Sequence, residues 1–299
     1  MNIIELNKLT KFYGKICGIK DVSFNVTNGE IFGFIGPNGA GKSTTIRTLL
    51  NFLFPSSGSA KIFGLDIVKN SEMIKKRIGY LPAESNYYDN MTVRELMDYS
   101  ASFYNIKDFE NRLKYLTDSL DLDIQRKIND LSSGNKKKVS IVQSLLHNPD
   151  LLILDEPTSG LDPLVQSAFY EILQEENKKG VTIFFSSHIL SEVQRICDRV
   201  AIIRQGKIIK VESIENMKKN LLKNVHISFT ETSPDCIDIQ GVVKYQRSKK
   251  EIRFLFDGDI NELTACLSKY KIENIAIEDP NLDEIFLHFY KNHEENNDK

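Results

Sequence analysis

The chain has 299 residues, 41% of them hydrophobic, which suits one large domain with a small one, or two comparable ones. Net charge is −2, and from Leu221 onward 10 Lys/Arg stand against 15 Asp/Glu, which argues against a nucleic-acid arm. Four scattered cysteines form no C-x-x-C pair and read as small buried hydrophobes of a reducing compartment.

No apolar run nears the ~18 residues of a membrane span, and the opening Met1-Asn2-Ile3-Ile4-Glu5 carries an acid and no leader pattern. A cytoplasmic chain is expected, reaching a membrane only through a partner. In chain order, residues 3–6 and 22–26 read as strands, the second by period-two alternation. Asn28-Gly29 reads as a turn of a hairpin-rich edge. Between these strands lies Tyr13, either a purine-stacking ring or an ordinary aromatic.

Residues 30–35 form a short apolar strand that runs into Gly36-Pro37-Asn38-Gly39-Ala40-Gly41-Lys42-Ser43-Thr44. This stretch fits G-x-x-x-x-G-K-[ST]. Beyond it, Ile46, Leu49 and Leu50 share one helical face. Strand, loop and helix are the context that a phosphate-binding loop requires. Its glycines let backbone N–H groups wrap a phosphate, and the helix N-terminus adds its positive dipole end. Lys42 then reaches the β- and γ-phosphates, and the Ser43 hydroxyl can hold Mg²⁺.

A loop over residues 55–59 precedes a strand at 60–63, a basic helix at 73–77 and a strand at 78–81. From Thr92 to about Asn148 the pattern is helical, with Val93, Leu96 and Met97, then Leu113, Leu116 and Leu120. This block interrupts a strand–helix alternation and reads as an inserted subdomain. Residues 151–154 and 181–185 are continuous apolar runs, as strands buried on both faces require. The first ends in Asp155-Glu156 and the second in Ser186-Ser187-His188, at strand ends where open α/β sheets hold ligands. Asp162-Pro163 reads as an N-cap followed by N1 of a helix. Residues 199–203 and 207–211 form a hairpin around Gln205-Gly206.

Asp155 is placed to hold Mg²⁺ near the loop serine, and Glu156 to take the proton of an attacking water, a role worth roughly 10²–10⁴-fold. His188 either contacts the γ-phosphate and orients that water, or is structural. In Leu131-Ser132-Ser133-Gly134-Asn135, Ser132 can cap a helix starting at Ser133. That end is either a second anion site or a plain cap followed by a solvated run, Lys136-Lys137-Lys138.

Together these motifs resemble the ATP-binding subunit of an ABC transporter, over roughly Asn2 to Val211. Gly36 to Thr44 corresponds to Walker A, and Leu151 to Glu156 to Walker B with the catalytic glutamate. Residues 131–135 resemble the signature motif, Ser159-Gly160-Leu161-Asp162 the D-loop, and His188 the switch histidine. Tyr13 sits at the adenine-stacking position. Two departures stand out: the signature is Leu-Ser-Ser-Gly-Asn, and the Q-loop glutamine position falls on Ala83, with Glu84 a candidate metal ligand one position later.

The resemblance implies an α/β P-loop NTPase fold, a RecA-like core with an antiparallel β subdomain and a helical subdomain at about 84–148, in a domain spanning 1–220. A small α+β accessory domain is expected at 221–292, and a polar, disordered tail at 293–299. In the accessory part, residues 225–229, 252–256 and 272–277 read as strands, 260–270 as a helix, and 281–290 carry apolar residues at helical spacing. The run Asp279-Pro280-Asn281-Leu282-Asp283-Glu284-Ile285-Phe286 resembles that of drug, antibiotic and bacteriocin exporter ATPases. ATP and Mg²⁺ are the implied ligands. The implied partners are a separate membrane permease and a second ATPase subunit, identical or related, whose Ser132, Ser133, Gly134 and Asn135 act across the dimer. A soluble ABC ATPase of translation or DNA repair, and a weakly hydrolysing regulatory subunit, are the competing readings.

Overall fold

The computed structural model describes residues 1–84, 87, 90–104, 106, 108–219 and 223–278. The chain divides into two compact units, Met1–Ile214 and Glu215–Lys299, so the division precedes the expected boundary at 220.

The first unit opens with β1 (Asn2–Tyr13) and β2 (Ile16–Thr27), then β3 (Ile31–Ile35) and α1 (Lys42–Leu49). Next come β4 (Ser57–Ile62), β5 (Leu65–Asp66), α2 (Ser71–Lys75) and β6 (Ile78–Leu81). A helical block follows: α3 (Val93–Phe103), α4 (Glu110–Ser119) and α5 (Ser133–Leu145). The unit ends with β7 (Leu151–Asp155), α6 (Pro163–Lys178), β8 (Thr182–Ser187), α7 (Leu190–Ile196), β9 (Arg199–Arg204), β10 (Lys207–Ser213) and the start of α8 (Ile214–Lys219).

Two sheets organise it. The larger runs β10-β9-β3-β8-β7-β6 and is parallel except for the edge strand β10. Every residue of β3, β7 and β8 is buried, because helices and the other sheet cover both faces. The second sheet, β2-β1-β4-β5, is antiparallel. Its Phe24 stacks on Phe32 at 5.3 Å and on Phe184 at 6.0 Å, which joins the two sheets through one core.

The hairpin of β1 and β2 turns at Gly14, whose φ of 59° suits glycine. Asn28-Gly29 therefore does not close that hairpin. It carries the chain from β2 into β3, which belongs to the other sheet.

The helical block starts on a capping box, with Thr92 and Glu95 each bonding the other's backbone. Arg112 of α4 pairs with Glu176 of α6 at 2.8 Å, their side chains 12% and 3% exposed. Burial pushes the Glu176 carboxyl up, but hydrogen bonds from Arg112 and Lys179 hold it below the usual range. This pair fastens the block to the core.

The second unit holds β11 (Lys223–Phe229), β12 (Val242–Arg247), β13 (Glu251–Phe256), α9 (Ile260–Leu267) and β14 (Ile272–Glu278). Its antiparallel sheet, β12-β13-β11-β14, buries Val225, Ile227, Phe254 and Phe256 with Leu263 and Leu267 of the helix. The strand at 242–247 has no counterpart in the sequence reading. The helical pattern at 281–290 and the tail at 293–299 lie outside the described residues.

Candidate active site

Parallel register brings the site together. Ile35 at the end of β3 pairs with Ser187 of β8, and Asp155 at the end of β7 pairs with Ser186. Three segments thus leave one sheet edge side by side: the loop at 36–41, Asp155-Glu156, and Ser187-His188.

The loop is built tightly. A Cβ at Gly36 would lie 2.3 Å from the Ile203 carbonyl oxygen, so only glycine fits there. Gly41 has a φ of 109° and leads directly into α1. Lys42, 4% exposed, donates to the carbonyls of Gly36 at 2.7 Å and Pro37 at 3.2 Å. Its Nζ also stands 3.3 Å from Glu156 Oε1. The adjoining cleft has a volume of about 240 Å³, with Gly39, Gly41, Lys42, Ser43, Thr44 and Glu156 among its walls.

Asp155 is buried, and its carboxyl is raised above the usual range, first by burial and then by the Glu156 charge. Hydrogen bonds from Ser43 and from Ser186, the latter at 3.2 Å, oppose that shift. Ser43 and Asp155 therefore present hard oxygens in one place, the donor type that Mg²⁺ takes. Glu156 adopts a φ of 48°, a left-handed conformation costing a non-glycine residue about 1–3 kcal/mol. Its N–H is held by the Ser186 carbonyl at 3.1 Å. From that turn its carboxylate reaches both Lys42 and the Nδ1 of His188, the latter at 3.3 Å.

Tyr13 stands at the hairpin end with its hydroxyl 3.4 Å from the Thr44 hydroxyl and its ring 44% exposed. A flat aromatic beside the phosphate loop is open to stack on a base. Ser132 caps α5, accepting from the Asn135 N–H at 3.3 Å, and is exposed with Ser133. A Cβ at Gly134 would lie 3.1 Å from the Gly160 carbonyl, so the signature residues adjoin the chain's own D-loop. The four signature residues are absent from the walls of the chain's own cleft. Asp162 caps α6, accepting from the N–H groups of Leu164 and Val165 at 3.0 Å each. Glu84 is exposed and likewise absent from the cleft walls.

The lysine run is not solvated. Lys137 and Lys138 are 6% and 9% exposed, and Lys137 Nζ donates to the carbonyls of Pro82 and Ala83 at 3.0 and 3.1 Å. Burial lowers the Lys137 pKa to about 8, against the opposing pull of Asp155 and Glu156. Helical spacing from buried Ile141 back to Lys137 carried that signal, and charge masked it.

The profile of the ABC transporter family matches residues 19–159. The chain is 37% identical over 235 residues to the bacitracin transport ATP-binding protein BcrA of Bacillus licheniformis, covering 77% of this chain and 76% of that protein. It is 36% identical to the ABC transporter ATP-binding protein NatA of Bacillus subtilis, over 67% of this chain and 83% of that one. The Nod factor export ATP-binding protein I of Rhizobium etli is 30% identical over 96% of this chain and 93% of its own length. Among solved structures, an ATP-binding subunit of an ABC transporter superposes with a TM-score of 0.69 at 32% identity, covering 73% of this chain and 92% of that one.

Proposed function

We propose, from the premise that this chain belongs to the ABC transporter ATP-binding family and is an ATPase, that it powers export through a separately encoded permease. The observation that carries this reading is a divided site. Lys42, Ser43 and Glu156 line one cleft, with the buried Asp155 hydrogen-bonded to Ser43 behind it, while the capped N-terminus of α5 faces solvent elsewhere. Two subunits meeting head to tail complete each other, each cleft facing the Ser132–Asn135 turn of its partner copy. The γ-phosphate then lies between a lysine-and-loop cradle and a helix N-terminus, and its loss loosens the contact.

Within one subunit, Tyr13 stacks on the adenine, and the N–H groups of residues 36–44 wrap the phosphates. Ser43 and Asp155 would hold Mg²⁺, which when bound would supply neutralisation of the phosphates' charge. Lys42 exchanges its carbonyl and Glu156 partners for phosphate oxygens, since a phosphate offers it a stronger, charge-assisted contact. Glu156, released from that ion pair, accepts the proton of the attacking water, and His188 orients the two. Glu84, exposed and outside the cleft walls, takes no part in this step.

The permease contact falls on a groove of about 770 Å³ between the helical block and the core, with Phe52, Tyr80, Tyr99, Phe103 and Tyr104 along it and Lys75 and Lys76 beside them. Phe52 and Phe103 are 55% and 66% exposed, an apolar patch with basic neighbours. No helix among the described residues is long and apolar enough to cross a membrane, which fits a peripheral subunit on the cytoplasmic face. A relative named for Nod factor export supports the export direction.

The test is co-purification from detergent-solubilised membranes of the source cells. A multi-span membrane protein retained by the wild-type chain, and lost with Phe103→Asp, is expected. Retention only of ribosomal or DNA-repair components would overturn the export reading.

A further inference from the structure

Glu192 is a buried carboxylate on α7, 8% exposed, away from the cleft walls described above. Its two oxygens take hydroxyls from two other segments, and the Tyr170 hydroxyl of α6 is a third hydrogen-bond partner. Thr158 Oγ1 donates to Oε1 at 2.5 Å, and Ser187 Oγ donates to Oε2 at 2.6 Å. The Ser187 oxygen in turn accepts from the Ile189 N–H at 2.9 Å. Thr158 stands two residues beyond Glu156, and Ser187 and Ile189 flank His188.

Burying a carboxylate is costly unless hydrogen bonds compensate it, and the short hydroxyl contacts here are of the strong, charge-assisted kind. An apolar side chain would fill the space without that cost. His188 itself is 42% exposed on its side chain, so packing does not hold its ring. Beyond the pairing of Ser187 with Ile35 in the sheet, the backbone beneath it is held by the Ser187–Glu192 contact on one side and the Ile189–Ser187 contact on the other.

We propose that Glu192 is a positioning residue for ATP hydrolysis, a clamp that ties the segment after Glu156 to the segment around His188 and keeps these two side chains in register. The same clamp carries any shift of residues 158–162, which lead to the D-loop Asp162, to the histidine. The proposal rests on the reading of Glu156 and His188 as the groups that act on the attacking water.

Steady-state ATP hydrolysis by the full chain tests it, using Glu192→Ala, Glu192→Gln, His188→Ala and the Glu192→Ala/His188→Ala double variant. Misplacing a reacting group by about 1 Å costs up to roughly 10²-fold, so Glu192→Ala should lower kcat by on the order of ten- to a hundredfold. KM for ATP should stay within about twofold, because the phosphate loop is untouched. Glu192→Gln, which keeps one acceptor oxygen, should recover part of the rate. The double variant should be no slower than His188→Ala, as coupled positions give non-additive losses.

Multiplicative losses in the double variant, or a raised KM with unchanged kcat, would overturn the clamp. A slow His188→Ala beside a Glu192→Ala of wild-type rate would overturn the clamp alone. His188→Ala at wild-type rate would overturn the reading beneath it. Should Glu192→Ala fail to fold, Ser187→Ala and Thr158→Val each remove one hydroxyl and should show the same non-additivity with His188→Ala.

Discussion

Lys42 Nζ and Glu156 Oε1 stand 3.3 Å apart, although the strands that precede them, β3 and β7, are separated in the sheet by β8. The lysine is almost wholly buried, and the glutamate reaches it from a left-handed turn. One carboxylate therefore sits between the Lys42 ammonium and the imidazole of His188, 3.3 Å on its other side. In the proposed mechanism this residue joins nucleotide binding to proton abstraction.

Glu156→Gln keeps the shape and removes the base. Turnover should fall by roughly 10²–10⁴-fold, the worth of a positioned general base. Nucleotide affinity should persist, and with ATP the variant should sediment as a dimer. A monomer at saturating ATP would contradict head-to-tail closure.

Asp155 makes the opposite trade. Its folded pKa lies above the unfolded value, so the charged form at neutral pH costs stability, and that cost fades as pH falls through the raised value. Asp155→Asn should thus raise the nucleotide-free melting temperature at pH 7, by about 2–4 °C for each kcal/mol relieved in a unit of this size. Mg²⁺-dependent turnover should drop by on the order of 10²-fold or more, as a charge ligand of the phosphates' metal is lost. A lowered melting temperature would mean that the Ser43 and Ser186 contacts outweigh burial.

Lys137 titrates in a readable window. Its pKa is lowered from 10.5 to about 8, so between those values the unfolded chain binds the extra proton. Stability should rise with pH across that window by up to about 1.4 kcal/mol per unit and level off on either side. Lys137→Met removes this rise while losing the two carbonyl contacts at every pH. Denaturant midpoints of both proteins at several pH values check it, and parallel curves would refute it.

Glu84 is exposed and stands clear of the cleft, with the adjacent Ala83 carbonyl held by Lys137. Glu84→Ala should leave turnover within about twofold, as expected of an exposed position that makes no transition-state contact. A tenfold or larger loss would instead make Glu84 the replacement for the missing glutamine.

Much of this architecture is local chemistry, and so it is legible residue by residue. Gly36 to Thr44, the apolar runs of β7 and β8, and the Asp162-Pro163 cap announce themselves because loop, strand and cap each depend on neighbours in sequence. The longer-range assignments are where reading the chain fell short. Asn28-Gly29 has the form of a turn in a hairpin-rich edge but links two sheets. The lysine run, which the sequence leaves as either the flank of an anion site or a solvated face behind a plain cap, carries two buried ammonium groups, because α5 packs that face against residues 82–83 and 121. Strand β12 escaped because its polar residues find partners only across the second sheet.

By itself the sequence determined that this chain binds a nucleoside triphosphate and belongs with the ABC ATPases, since backbone-wrapping glycines, a lysine and carboxylates at fixed spacing suffice for that chemistry. Only the tertiary structure decided which distant residues meet: Lys42 with Glu156, Glu156 with His188, and Thr158 and Ser187 with Glu192. The physical reason is parallel strand register. It sets three loops, far apart in sequence, on one sheet edge at hydrogen-bonding distance, and no spacing along the chain encodes that distance.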